Sequence, residues 1–303
     1  MRLALEKYRS AAASFKQARD KSGEARARLG AGEVLAILGV QEEALSQCRI
    51  ALRLVSGTRD TKLEVDILNG LAQIEIDRND RACEAHSQRS LDLALQEGYA
   101  LGQAGALNNL GVIARNEPTK AIDYFSRALS LWTSEASFAG QAEALTNLGL
   151  TYGDSGSVDR AKQLLQRALE AARAAADVRK EARISLAIAL VHTAKAEWQR
   201  ALDLFQRTIS LLRQFGDRVT LPVALNGLGS LYEELGESGQ ALANFNESRA
   251  LSQSIDHQGL HALALRHIAG IYADTGHRQK ALRVYRELVR TTRSQQDYRL
   301  QAY

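Results

Sequence analysis

The stretch ALNGLGSLYEELGESGQALANFNESRAL, from Ala224 to Leu251, decides the fold of this chain. Between Leu225 and Leu235, leucines recur at intervals of three and four residues, which is the spacing of an amphipathic helix. Gly236 and Gly239 interrupt the pattern, and a second apolar stripe begins at Ala241. The stretch therefore predicts two helices joined by a tight turn.

Small and bulky residues share the inner side of this helix pair for a steric reason. Gly229 and Ala241 lie where the two helices are expected to come closest, whereas Tyr232 and Phe245 fill the space where the helices diverge. A bulky side chain at a small position would overpack the crossing and cost about 1–3 kcal/mol.

The small residue of this pair recurs every 38 to 40 residues along the chain. Self-similarity at such a period indicates a stack of identical supersecondary units. An alanine follows most of these positions by twelve residues. We call the recurring small residues the anchors: Gly32, Ala72, Gly111, Gly149, Ala189, Gly229 and Ala269.

The full pattern is a small residue, then an aromatic, a glycine, an alanine and a second aromatic at three, seven, twelve and sixteen residues after it. With this pattern the chain resembles the tetratricopeptide repeat family. The resemblance implies an all-α fold, a right-handed α-solenoid (superhelix) of about seven antiparallel helix pairs with an unpaired helix at the N-terminus. Two units match at all five positions: Gly229, Tyr232, Gly236, Ala241 and Phe245, and Ala269, Tyr272, Gly276, Ala281 and Tyr285.

The period is longer than the usual 34 residues of that family. A period of 40 residues implies helices that are longer by about a turn and a half in total. The chain thereby resembles the variant found in kinesin light chain, in maltose-regulator-type transcription activators and in arrays associated with CHAT proteases.

We predict a single solenoid over residues 1–303, with aspartates at the junctions acting as helix N-caps. These aspartates are Asp20, Asp60, Asp177, Asp217 and Asp297. The predicted elements are a half repeat at 1–18 and pairs at 21–57, 61–96, 100–133, 138–173, 178–213, 218–253 and 258–293.

The two ends lack the polar capping units with which solenoids normally finish. Ala4, Tyr8 and Ala11 match the second helix of a pair, and the final DYRLQAY begins a helix without a partner. We therefore expect the sequence to be a piece of a longer protein whose effector domains lie outside it.

Composition excludes several classes of protein. No apolar run approaches the ~20 residues that span a bilayer, and the N-terminus becomes charged too early for a secretory signal. Two cysteines, Cys48 and Cys83, cannot form a disulfide scaffold, and we interpret them as buried thiols in a reducing compartment. The sequence therefore predicts a cytoplasmic protein with no membrane partner.

The net charge of +4 is small, although arginines form one helical stripe near the C-terminus. Such a stripe could contact phosphates, or it could be a solvated outer face. No aromatic residues interleave with the arginines, which argues against a nucleic-acid partner. The stripe comprises Arg283, Arg286, Arg290 and Arg293.

No sequence motif predicts catalysis. Gly153–Gly156 reads GDSG, but the segment falls on a turn where these residues are expected, and no triad scaffold surrounds it. His257 and His261 share a helical face but have no cysteine nearby to complete a metal site. We predict that the chain is not an enzyme and binds no cofactor and no metal.

The resemblance implies that the first helix of each pair lines a concave groove, with the positions two and three before each anchor pointing into it. Asparagine carries a donor and an acceptor, so a row of asparagines suits an extended peptide. Alternatively, these amides bridge adjacent first helices. The candidate binding residues are Asn69, Asn108, Asn109, Asn147, Asn226, Arg266 and His267.

Two functions from different classes remain open. The first is a non-catalytic scaffold whose groove binds a protein or peptide, possibly a domain of the same longer chain. The second is the sensory or autoinhibitory arm of a larger regulator, with a protease, cyclase or DNA-binding effector outside this sequence.

Overall fold

The computed structural model describes residues 2–56 and 58–301, with side chains described up to Thr292. Every regular element in this part of the chain is helical, and the predicted all-α architecture of antiparallel helix pairs following one unpaired helix is confirmed. None of these helices combines the length and the apolar character of a bilayer-spanning segment. The α-helices are α1 (Arg2–Gln17), α2 (Lys21–Ile37), α3 (Gln41–Val55), α4 (Thr61–Asp77), α5 (Ala82–Gln96), α6 (Ala100–Ile113), α7 (Pro118–Ser134), α8 (Phe138–Asp154), α9 (Val158–Ala174), α10 (Val178–Ala194), α11 (Trp198–Phe215), α12 (Thr220–Glu234), α13 (Ser238–Ser254), α14 (Gln258–Asp274) and α15 (Arg278–Gln301).

The chain divides into two compact units. Unit 1 is Met1–Ala187 and unit 2 is Ile188–Tyr303, so the division falls within α10. In each unit the even-numbered helices are the first helices of the pairs and the odd-numbered helices after α1 are the second helices. The single solenoid over the whole sequence stays a prediction.

The linkers between helices explain the length of the repeat. Most helices are followed by a residue with a left-handed backbone conformation. The N–H of the residue after it donates to a carbonyl oxygen of the last helical turn, as Glu237 N donates to Tyr232 O at 2.8 Å. A helix, commonly of 17 residues, and its short linker form one half of a repeat, and two such halves give the period seen in the sequence. The left-handed positions recur at one constant interval over the second half of the chain, at Ala136, Gly156, Ala176, Ala196, Gly216, Gly236, Asp256 and Gly276.

The junction aspartates cap the helices that follow them, as predicted. Each carboxylate accepts a hydrogen bond from the backbone N–H three residues later, at 2.8 to 3.2 Å. These contacts satisfy N–H groups that have no partner within the helix. Four aspartates do this, Asp20, Asp60, Asp177 and Asp217, whereas Asp297 lies outside the residues whose side chains are described.

The third pair is joined differently from the others. A short 3-10 turn, Ala114–Asn116, follows α6, and Pro118 then occupies the first turn of α7. Proline fits there because the N–H that it lacks would have no helical partner. This proline therefore helps α7 to begin directly after the 3-10 turn.

The glycine anchors lie against bulky side chains of the second helices. A Cβ atom at Gly229 would lie 2.7 Å from the ring of Phe245, and one at Gly111 would lie 2.5 Å from the ring of Phe125. Both rings are fully buried. The absence of a side chain at these anchors is thus what allows the two helices to approach each other.

Candidate functional site

Side chains of three first helices form a continuous polar chain in unit 1. Asn147 Nδ2 on α8 donates to Asn108 Oδ1 on α6 at 2.9 Å. Asn108 Nδ2 in turn donates to Glu143 Oε1 at 3.0 Å, and Lys180 Nζ on α10 donates to Glu143 Oε2 at 2.8 Å. We call the surface that carries these residues the first-helix face of unit 1.

Two further predicted residues connect α4 and α6 on the same unit. Asn109 Nδ2 donates to the backbone oxygen of Asn69 at 3.0 Å, and Asn69 Nδ2 donates to the backbone oxygen of Gly102 at 3.0 Å. Ser90 Oγ donates to Asn69 Oδ1 at 2.7 Å. The four asparagines predicted in unit 1 are thus brought together, and each makes the contact between neighbouring helices that the bridging alternative describes.

Glu143 is held ionised by its neighbours. Burial opposes ionisation of the carboxyl, but the ammonium of Lys180 and the guanidinium of Arg183 favour it, and hydrogen bonds from Lys180 and Asn108 add to their effect. The pKa of Glu143 is therefore lowered.

The electrostatics of Glu33 connect α2 with a charged group on α10. Burial and the nearby Asp66 raise the pKa of Glu33, while the guanidinium of Arg179 acts against them. Glu33 lies on α2 and Arg179 on α10, four first helices later. The two charges therefore interact although three first helices lie between them in the sequence.

Asp66 is a second carboxyl group near Glu33, and it is hydrogen-bonded to Tyr99. The hydroxyl of Tyr99 donates to Asp66 Oδ1 at 3.0 Å. Burial nevertheless raises the pKa of Asp66, and burial together with the Asp66 charge raises the pKa of Tyr99 to about 12. The neighbouring first helices α2 and α4 therefore carry two carboxyl groups with raised pKa values.

Arg179 provides a donor that is not used by the protein. Its Nη1 atom is buried, and no acceptor lies within hydrogen-bonding distance of it among the described residues. A buried donor without a partner costs about 1–3 kcal/mol, and more when the group is charged. Unit 1 thus contains a cationic donor that a ligand oxygen could satisfy.

The predicted residues of unit 2 do not form a comparable network. Asn226 is only 4% exposed, yet neither of its amide atoms has a hydrogen-bond partner in the described part of the chain. His267 Nδ1 lies 2.7 Å from Glu233 Oε2, and its ring stacks on Phe245 with centroids 4.6 Å apart. Arg266 is exposed.

Comparison with family models identifies the repeat. Models described as tetratricopeptide repeat match residues 2–57, 140–214 and 220–294, which together make up more than half of the chain. The chain belongs to the tetratricopeptide repeat family. No curated protein sequence matches it.

Solved tetratricopeptide-type structures share the fold at low sequence identity. A Rap protein complexed with competence and sporulation factor is 17% identical, with a TM-score of 0.70 over 91% of this chain and 78% of that one. NprR in complex with its cognate peptide NprX is 17% identical, with a TM-score of 0.61 over 89% of this chain and 81% of that one. Nearly identical repeats of a Podosopora anserina kinesin light chain give 13% identity and a TM-score of 0.50 over 63% and 95%.

Sequence reasoning about tetratricopeptide repeats missed the charged residues of the unit 1 groove. Asp66, Glu143 and Arg183 each stand six residues before an anchor, which is one helical turn before the asparagine row. Side chains three or four residues apart share a helix face, so extending the row by one turn would have found this slot. Lys180 and Arg179 stand a further turn back on α10.

The arginines of α15 and the two cysteines are not part of the polar network on the first-helix face of unit 1. Arg283, Arg286 and Arg290 are exposed on α15, and the side chain of Arg293 lies outside the described residues. Cys48 and Cys83 are free, buried thiols, as predicted. Burial raises the pKa of Cys48 to about 12, so this thiol stays protonated and is a poor nucleophile.

Proposed function

We propose that this tetratricopeptide chain is a non-catalytic binding protein whose unit 1 groove takes an extended peptide or protein segment. The observation that carries the proposal is the buried Nη1 atom of Arg179, which has no partner among the described residues and whose guanidinium also influences Glu33 of α2. A backbone carbonyl or a carboxylate of the ligand would satisfy this donor.

The side chains of unit 1 favour a ligand that has both hydrogen-bond acceptors and cationic or N–H groups. Lys180 is already paired with Glu143, which leaves Arg179 as the donor available to an acceptor of the ligand. Glu33 and Asp66 have raised pKa values, and a cationic or N–H-rich part of the ligand would stabilise their charged forms. The asparagines of the row contribute whatever donor and acceptor capacity their contacts between helices leave unused.

Two of the structural relatives are described with a bound partner, which supports a protein or peptide ligand. One is a Rap protein complexed with competence and sporulation factor, and another is NprR in complex with its cognate peptide. The two free, buried thiols fit a reducing compartment such as the cytoplasm.

The alternative function is a sensory or autoinhibitory arm of a larger regulator. One observation favours it, since a structural relative from B. thuringiensis is described as the quorum sensor NprR. In that case peptide binding in the groove would change the action of an effector outside this sequence.

The experiment that tests the proposal is capture of short synthetic peptides of mixed sequence by the purified chain, followed by mass spectrometry of the retained peptides. Arg179→Met should lower the affinity for the retained peptides at least about tenfold, since a charge-assisted hydrogen bond is lost. Arg167→Met, at an exposed arginine of α9, is the matched control and should bind as the unaltered chain does. Retention of no peptide, or equal retention by the Arg179 variant, would count against the groove as the binding site.

A further inference from the structure

A cavity of about 320 Å³ lies between three consecutive helices of unit 2, α11, α12 and α13. Its volume is at the lower end of the range of about 300–1,000 Å³ that is typical of ligand pockets, so it has room for about one aromatic ring. Three buried apolar residues line its inner side, Ile209 on α11 and Leu225 and Leu228 on α12. The rest of the lining is polar and more exposed, and it comprises Gln206, Ser210, Arg213 and Asn244.

The corresponding junction between α5, α6 and α7 in unit 1 contains a tyrosine. Three leucines of α5 and α6 match the apolar residues of the cavity, and they belong to one core cluster with Tyr124 of α7. Tyr124 stands three residues after the repeat alanine of α7, and Asn244 stands three residues after that of α13. The protein itself therefore shows that a tyrosine side chain fits against these apolar residues. The three leucines are Leu91, Leu107 and Leu110, which correspond in that order to Ile209, Leu225 and Leu228.

Asn244 does not cover the apolar residues as its counterparts in other repeats do. Its Nδ2 atom donates to the backbone oxygen of Gln240 at 2.8 Å, one turn back in the same helix. The two other polar residues in this place of the repeat, Gln47 and His86, each contact a polar side chain of the first helix of their own pair. At Asn244 the first helix offers leucines instead, so the cavity stays open. The remaining residues in this place are apolar: Tyr124, Leu164, Leu204 and Val284.

An ion pair connects α11 with α13 beside the cavity. Arg213 Nη2 donates to Oε1 and Oε2 of Glu247 at 2.7 and 2.8 Å. The guanidinium that lines the cavity is thus already neutralised by a carboxylate, which favours an uncharged occupant. Apolar side chains that line a gap lack the dispersion contacts that a filling group restores, so a ring placed there is stabilised by Ile209, Leu225 and Leu228.

We propose that this cavity receives a tyrosine side chain of a partner protein, with the ring against the apolar inner side and the hydroxyl among the polar residues of the opening. Tyrosine combines an apolar body with a polar tip, which matches the two parts of the lining. Aromatic side chains that fill a pocket on the partner are common anchors of protein interfaces. The cavity lies on helices other than those of the unit 1 face, so the proposal does not depend on the proposed peptide function.

The test uses the full chain and capped pentapeptides of sequence Gly-Gly-Tyr-Gly-Gly and Gly-Gly-Ala-Gly-Gly. Ligand-observed NMR measures saturation transfer from the protein to each peptide. The tyrosine ring should receive saturation in a concentration-dependent way, whereas the alanine peptide should not bind, because only the ring reaches the apolar residues. The small phenol p-cresol is a third probe, since it has the ring and the hydroxyl without a peptide backbone.

Variants of α13 connect this binding to the cavity. Asn244→Tyr should place the protein's own ring in the cavity, as Tyr124 does in unit 1, and should weaken binding of the tyrosine peptide at least about tenfold. Asn244→Leu should have the same effect, since Leu164 occupies this place in α9. Both variants should melt at or above the temperature of the unaltered chain. Ala243→Tyr is the matched control, because position 243 is exposed and does not line the cavity, and its affinity should not change.

Several results would overturn the proposal. Failure of the tyrosine peptide to bind, equal binding of the alanine peptide, or undiminished binding by Asn244→Tyr and Asn244→Leu would each do so. Binding of p-cresol without binding of the tyrosine peptide would identify a small aromatic molecule as the occupant instead. Self-association in sedimentation velocity that disappears in Asn244→Tyr would identify a second copy of this chain instead.

Discussion

The first helices of the two units share their anchors but differ in the residues that stand one and two helical turns before each anchor. In unit 1, four of the five residues six positions before an anchor are charged, whereas both in unit 2 are apolar. They are Arg26, Asp66, Gly105, Glu143 and Arg183 in unit 1, and Val223 and Leu263 in unit 2. Three residues before the anchor, both units have an asparagine that is almost fully buried. Asn108 has two side-chain partners, and Asn226 has none within the described residues.

The difference shows which part of the repeat is constrained. Each glycine anchor meets a side chain of the second helix of its own pair, so the sizes of these residues are set by local sterics. The outward positions of the first helices meet only the neighbouring first helix or a ligand, so they are free to differ. In unit 1 these positions carry a network of charged and polar side chains, whereas the described residues of unit 2 form no comparable network.

The largest effect should be the same in both units, because it concerns the shared packing. We expect Gly111→Leu and Gly229→Leu each to lower the free energy of unfolding by up to about 3 kcal/mol, since even a Cβ atom would meet a buried ring. Thermal denaturation measures this, at roughly 2–4 °C per kcal/mol for domains of about this size. Gly270→Leu is the control, because nothing described lies within 4 Å of a Cβ at Gly270. A large loss in Gly270→Leu, or none at the anchors, would refute the steric interpretation.

The next effect should have opposite signs in the two units. Asn108→Leu should destabilise the fold by about 2 kcal/mol, because Glu143 and Asn147 lose their amide partner. Asn226→Leu should be neutral or stabilising, since an unpartnered buried amide is replaced by an apolar group of similar size. Urea denaturation of the two variants gives both values. Equal losses would mean that Asn226 has partners in solution and that the contrast between the units is not real.

The smallest effect should be a change in the pH dependence of stability within unit 1. The pKa of Glu143 is lowered in the fold, so its contribution is present above the pKa of the unfolded chain and is lost as the pH falls through the folded value. The pKa of Glu33 is raised, so its carboxylate opposes folding at neutral pH, and this cost disappears below the ordinary value of 4.5. Glu143→Gln should therefore lower stability at neutral pH, and Glu33→Gln should raise it. Melting temperatures across the acidic range should show both differences shrinking towards low pH, and two parallel curves would contradict the assignment.

The sequence predicts the helix pairs well because the features that define them are local. An anchor, its aromatic partners and the junction aspartate all lie within one repeat unit, and each has a steric or hydrogen-bonding role that can be recognised by itself. The shortened third pair was predictable for the same reason, from Pro118 and a turn that is shorter than in the other pairs.

The groove of unit 1 was not predictable in the same way. The influence of Arg179 on Glu33 depends on how four successive first helices stack, and no single repeat unit specifies that arrangement. The asparagine row was visible in the sequence, but the pairing of Asn147 with Asn108 depends on the distance between helices. The division of the chain within α10 has no marker in the sequence that we recognise.

The uniform linkers make it possible for the chain to gain or lose whole repeat units during evolution. Over the second half, the left-handed turns are evenly spaced, so any segment that spans one full period begins and ends in the same backbone conformation. A gene segment of that length could be duplicated or deleted at any of these turns without disturbing the helices on either side. Such a protein can lengthen or shorten by whole pairs, and the copies can then diverge on their outward faces while their interiors stay alike.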